Sequence, residues 1–196
     1  MHSIVFVLLP PDATELLKKA RELLAPFDQN LEVPAYKDYL TNEQIRHWIE
    51  KLGTMSLDEL ARRLAREYAY EARVDELGIY ELTTFNRNGH WDYWRPIKYL
   101  PNDQERTKRW GKELAQSVCL ARELPPDKNI PHSIVTPDGK WHDVNDFGYK
   151  TILQYEKGGT GLHPQNVEPM AKWENHVRDI LGNHSNHVIL VLDCHS

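Results

Sequence analysis

The chain is poor in cysteine. Its two cysteines, Cys119 and Cys194, cannot form a disulfide framework and are not spaced as a Cys-x-x-Cys zinc pair, so reduced thiols are expected. It also lacks a long apolar run. The longest, Ile4 to Leu9, is far too short to cross a bilayer and runs into Pro10 and Pro11 without a basic leader or cleavage site. A cytoplasmic protein without a membrane span is therefore expected. An excess of positive charge is missing as well: 24 Lys and Arg against 29 Asp and Glu give a formal charge of -5. Counterion release alone would not hold a polyanion, which disfavours nonspecific nucleic-acid binding and leaves room only for a local basic patch. No internal repeat or low-complexity tract is present.

What remains is an ordinary apolar share of 40% in 196 residues, enough for a substantial core in one domain. Ser3 to Leu9 is continuously apolar, the pattern of a strand covered on both faces, and His187 to Leu192 mirrors it near the other end. Between them the periodicity predicts a helix capped by Asp12 or Thr14 and stopped before Pro26, then an extended segment from Asn30 to Tyr36. A hairpin of helices follows, opened by the boxes Thr41/Gln44 and Ser56/Glu59. Ile79 to Thr84 reads as a strand and Asn102 to Glu123 as a helix capped by Asp103. Ile134-Val135 and Lys140-Trp141 flank Pro137-Asp138-Gly139 as a β-hairpin. The last helix runs from about Asn166 to Leu181. Two apolar strands at the chain ends pair best at a sheet centre. The expected architecture is a single α+β domain over residues 1–196 with a ferredoxin-like sheet containing both terminal strands. Its helices would lie on one face, with a largely helical elaboration over about 41–125.

The chemically loaded residues fall in three patches. Phe85 to Trp94 supplies Trp91 and Trp94 for stacking a flat ligand, Asp92 or Asn86 for its polar edge, and Arg87, with Arg95 just beyond, for an anionic group. A competing reading makes the two tryptophans core residues at a strand-to-loop transition. Pro137 to Tyr149 supplies Trp141 and the set His142, Asp143 and Asp146, suited to acid/base work or to hard metal ligation, although no strong metal signature is present. Asp193-Cys194-His195 ends an apolar strand. Residues two apart on a strand share a face, so Asp193 and His195 would enter one cleft with Cys194 turned away. Cys194 has no helix start or clear cation beside it to make it a nucleophile. Gly158-Gly159-Thr160-Gly161 lacks the lysine of a P-loop, and His184 with His187 reads as solvating a turn.

Leu24-Ala25-Pro26-Phe27-Asp28-Gln29-Asn30 with Val33 and Tyr36, Trp91-Asp92-Tyr93-Trp94, Pro137-Asp138-Gly139-Lys140-Trp141 with Phe147-Gly148, and Asp193-Cys194-His195 occur in that order. In this the chain resembles a family of small uncharacterised proteins from bacteriophages and bacteria. It departs from them in continuing as Arg95-Pro96-Ile97-Lys98-Tyr99 where members often carry Gly-Gly-Arg-Trp. The resemblance implies one domain in which the patches occur together, and a phage or mobile-element setting.

Two functions follow from the residues. One is a protein binding a small nucleotide-like or other anionic planar ligand through Trp91, Trp94, Trp141, Asp92, Arg87 and Arg95. The other is a hydrolase or related enzyme with His195 as base, Asp193 orienting it, and His142 with Asp146 as a second acid/base or metal pair. An interaction module that oligomerises through an exposed strand edge is a third reading. No cofactor fingerprint is present.

Overall fold

A computed structural model describes residues 2–53, 56–125, 130–150 and 162–195. In chain order the elements are β1 (His2–Leu9), α1 (Leu16–Leu24), β2 (Tyr36–Tyr39), α2 (Asn42–Leu52), α3 (Leu57–Tyr68), β3 (Arg73–Asp75) and β4 (Gly78–Thr83). There follow β5 (Tyr93–Pro96), α4 (Gln104–Leu114), β6 (Val118–Leu120), β7 (Ser133–Val135), β8 (Trp141–Asp143), α5 (Val167–Asn183) and β9 (Val188–His195). The chain separates into two compact units, residues 1–29 with 88–196, and residues 30–87.

The first unit is α+β. Its mixed sheet runs β5-β9-β1-β7-β8, and β6 also pairs with β9. Both apolar terminal strands sit centrally. They pair antiparallel over their whole length, from His2 opposite His195 to Leu9 opposite Val188, so the backbone polar groups along their shared edge find partners without water. The strands bury both faces because a layer of side chains waits on each. Val5, Val7, Leu190 and Leu192 meet Leu16, Ala20 and Leu24 of α1 on one face. Phe6, Leu8, Ile189 and Val191 meet Trp173, Val177 and Ile180 of α5 on the other. Helices thus cover both faces of the sheet, where the sequence reading placed them on one. Pairing of β1 with β7 is parallel and that of β7 with β8 antiparallel, the latter closed by a turn in which Gly139 takes φ +79°.

Two helix readings change in the structure. Glu15 stands at the N-cap of α1 and makes no side-chain cap, so neither Asp12 nor Thr14 opens that helix. The helix expected to run to Glu123 ends at Leu114, and its last turn already breaks at Gly111, with φ +80°. Val118, Cys119 and Leu120 instead extend beside Leu190, Ile189 and Val188, since three consecutive apolar residues bury fully in a sheet but not on one stripe of a helix.

The second unit holds the antiparallel sheet β2-β4-β3 and the pair α2 and α3, packed around Leu60, Ala61, Leu64 and Ile79. Both helices open with the caps read from sequence, Thr41 accepting from the Gln44 amide at 3.2 Å and Ser56 from the Glu59 amide at 3.2 Å. Gly53 closes α2 with φ +66°. The elaboration expected over about 41–125 is therefore a mixed helix and strand unit, and residues 88–125 belong to the first unit. Gly158-Gly159-Thr160-Gly161 lies outside the described residues. Among the described residues no helix is long and apolar enough to cross a membrane.

Trp173 is the largest fully buried side chain, and its indole N–H donates to the Pro131 carbonyl at 2.7 Å. Replacement by Phe strands that carbonyl and should cost about 1–3 kcal/mol. Replacement by Ala adds a void and should cost about 3–5 kcal/mol. Urea titration followed by far-UV circular dichroism should rank the variants in that order.

Candidate functional site

At the end of the sheet where β1 begins and β9 finishes, a cavity of about 180 Å³ opens on the α1 face. Residues from all three patches meet there: Gly89 and His90, then Trp141, Asp143 and Asn145, then Cys194; Ser3, Val5, Gln29, His132 and Ser133 complete the wall. The Pro-Asp-Gly turn sets the register that puts Ser133 opposite Asp143, and alternation along β8 sends Trp141 and Asp143 to the same face.

Asp143 organises the wall. One carboxylate oxygen accepts from the Asn145 amide at 2.9 Å and its side-chain amide at 2.6 Å. The other accepts from the Ser133 hydroxyl at 2.7 Å and the Trp141 indole at 3.4 Å. His132 Nδ1 stands 3.4 Å from the same oxygen and 3.1 Å from Ser133 Oγ. Burial opposes ionisation of this carboxyl, but the donors around it, His132 foremost, win and hold it well below the usual carboxylate range. Because Ser133 gives its proton to Asp143, His132 Nδ1 faces an acceptor oxygen and is the protonated ring nitrogen, and in the singly protonated ring this leaves Nε2 as an acceptor. That Nε2 is the buried side-chain polar atom without a hydrogen-bond partner among the described residues. His132 also borders a second, more apolar cavity of about 270 Å³ with Ile130, Tyr149 and Met170. Trp141 stacks on His90 with centroids 4.6 Å apart and planes 5° apart, and Phe27 leans on both.

Several residues singled out in the sequence stand elsewhere. Trp91 is 8% exposed, packs in the core and donates its indole N–H to the Leu24 carbonyl at 3.1 Å, so neither ring face is open to a ligand. Trp94 is half-buried against the same core. Arg87 belongs to the second unit, where it pairs with Asp38 at 2.6 Å and lies over the Tyr36 ring. Asp193 and His195 share a face of β9, as alternation requires, but that face is opposite the cavity, and Asp193 does not orient His195. Asp193 takes His2 at 3.0 Å and Arg95 at 3.3 Å. His195 Nδ1 is paired with Asp92 at 2.8 Å, and this hydrogen bond draws the Asp92 pKa down. His142, one residue from Asp143, points to the α5 face, where its Nδ1 meets His176 Nε2 at 3.2 Å. Asp146 accepts from the Asp143 amide at 3.1 Å and so caps the turn after β8. Cys194 is buried, and burial pushes its thiol up to about 12, which leaves it inert as a nucleophile.

Among the described residues no three His, Cys, Asp or Glu side chains are grouped to hold a metal ion. His132, Ser133, Ser3, Gln29 and Asn145 were not selected from sequence. The hairpin turn carried the signal for one of them, because counting outward from Gly139 sets Ser133 against Asp143. Comparison with family models, curated proteins and solved structures returns no match.

Two pH effects follow. Asp143 has a depressed folded pKa, so its contribution is present above the unfolded value near 3.9 and is lost as pH falls through the folded one. Asp143→Asn should destabilise the protein by about 1–3 kcal/mol at pH 7 and flatten the acid limb of a Tm-against-pH curve below about pH 4. Burial, assisted by the neighbouring His176, lowers the His142 pKa. Folding then disfavours its protonation, and the stabilisation it lends is complete above about pH 6.5 and declines as pH falls through the folded value. His142→Phe should remove that decline, seen as a smaller Tm difference between pH 7.5 and pH 5.5.

Proposed function

We propose that the first unit binds a small planar polar molecule of about nucleobase size, neutral or cationic, in the cavity between His90, Trp141 and the Asp143 network. The observation that carries this reading is the His132 imidazole on the cavity wall. Asp143 fixes its tautomer and its Nε2 acceptor is buried without a partner among the described residues. A buried polar atom left unpaired costs about 1–3 kcal/mol, a cost that an O–H or N–H donor reaching it through this wall would relieve. Size supports a small ligand, since 180 Å³ lies under the roughly 300 Å³ at which drug-sized pockets begin. Charge supports a neutral or cationic one. Asp143 is ionised in the wall, while Arg87 and Arg95, the residues suited to a phosphate, are committed to Asp38 and Asp193. The nucleotide-like ligand expected from sequence thus narrows to its ring portion.

Binding is favoured over hydrolysis by the state of Ser133. This residue is 1% exposed and its hydroxyl donates to Asp143, so it braces the carboxylate instead of standing as a nucleophile with its proton directed to a base.

Thermal-shift measurements with adenine, cytosine and 2-aminoimidazole test the reading. At ten times Kd a ligand selective for the folded chain adds about 1.4 kcal/mol, a rise in Tm of roughly 3–6 °C. His132→Gln and Trp141→Ala should abolish the rise while remaining folded. No shift with any of the three, or a shift that survives both substitutions, means that the cavity holds water alone.

A further inference from the structure

The second unit carries a larger cavity, of about 640 Å³, whose wall is chemically one-sided. Three aromatic side chains line it, Trp48, Tyr68 and Tyr70, together with the carboxylates of Asp38 and Glu81, and among the described residues no lysine or arginine stands in the wall. We infer that this cavity is a binding site for a small alkylated ammonium cation, independent of the site in the first unit.

Three observations support it. First, the ring faces already attract an ammonium. Lys51 Nζ lies 4.8 Å from the Trp48 centroid and 5.0 Å from that of Tyr68, the two rings meeting at 4.7 Å and 58°, so this ring pair accepts an ammonium, although Lys51 itself is not among the residues of the cavity wall. Second, Asp38 and Glu81 are directly opposite one another across β2 and β4. Like charges in that position repel and destabilise a sheet. Arg87 neutralises Asp38 at 2.6 Å, but Glu81 has no ion pair among the described residues, so the wall keeps one uncompensated negative charge. Third, Tyr70 is half-buried, and burial, Glu81 and Asp38 together push its hydroxyl pKa up, which puts those carboxylates within electrostatic reach of the ring.

A quaternary or alkylated ammonium satisfies both features. Its methyl groups spread the charge over a surface that fits against rings, its desolvation is mild, and the Glu81 carboxylate supplies the opposite charge. A phosphate or carboxylate ligand would meet repulsion from the same wall.

The test compares choline with its uncharged carbon isostere, 3,3-dimethylbutan-1-ol, by ligand-observed NMR on the full chain. Choline should bind at least about tenfold more tightly, the share expected of a desolvated cation–π contact. Glu81→Gln, which keeps the shape of the wall, should weaken choline several-fold and leave the alcohol unchanged. Trp48→Ala should abolish choline binding. Because Trp48 packs against the core of this unit, that variant is paired with Glu81→Gln and the isostere, which decide the question even if it unfolds. Equal affinity for the two ligands, no binding of choline, or indifference to Glu81→Gln overturns the assignment.

Discussion

Every feature of the first unit depends on the antiparallel pairing of its two apolar terminal strands. A strand buried on both faces needs hydrogen-bonding neighbours on its edges, and β1 and β9 supply eight paired positions to one another before any other strand joins. That register sets the whole end of the sheet. Ser3 and Cys194 face each other on the α1 side and border the cavity, while His2 and His195 face each other on the opposite side with Asp193 and Arg95. A shift of one residue would exchange the two sets and leave charged groups in the core.

The sheet separates two polar groups of this unit that share no hydrogen bond among the described residues. One, around Asp143, is buried, saturated with donors and arranged about a cavity. The other, formed by His2, Asp92, Arg95, Asp193 and His195, consists of mutually satisfied pairs at the surface. Surface pairs of this kind contribute little to stability and are screened by salt. Only the buried group holds a polar atom that lacks a partner among the described residues, and for that reason the functional reading rests there.

The elements that local physics controls were legible in the sequence. Apolar runs marked β1 and β9, Thr41 with Gln44 marked the start of α2, and Pro137-Asp138-Gly139 marked the turn between β7 and β8. Whatever depends on contacts far apart in the chain was concealed. Trp91 reads as a ligand platform until the Leu24 carbonyl, 67 residues away, is seen to accept its indole proton. Asp193 and His195 read as a dyad until His2 and Asp92 are found beside them. His142, Asp143 and Asp146 read as one set because they are close in sequence, yet alternation on a strand sends His142 and Asp143 to opposite faces.

The staple where the chain leaves and re-enters the first unit has a consequence for how this protein can change. Asp28 and Trp91 bridge as parallel neighbours, Gln29 donates to the Trp91 carbonyl at 2.7 Å, and His90 donates to that of Phe27 at 2.7 Å. Residues 30–87 therefore depart from the host body and return to it through one fixed doorway. The entropy of closing such an excursion grows only with the logarithm of its length, about 0.6 kcal/mol for each doubling. Loop closure therefore sets only a weak limit on the length of the segment between Gln29 and Asn88.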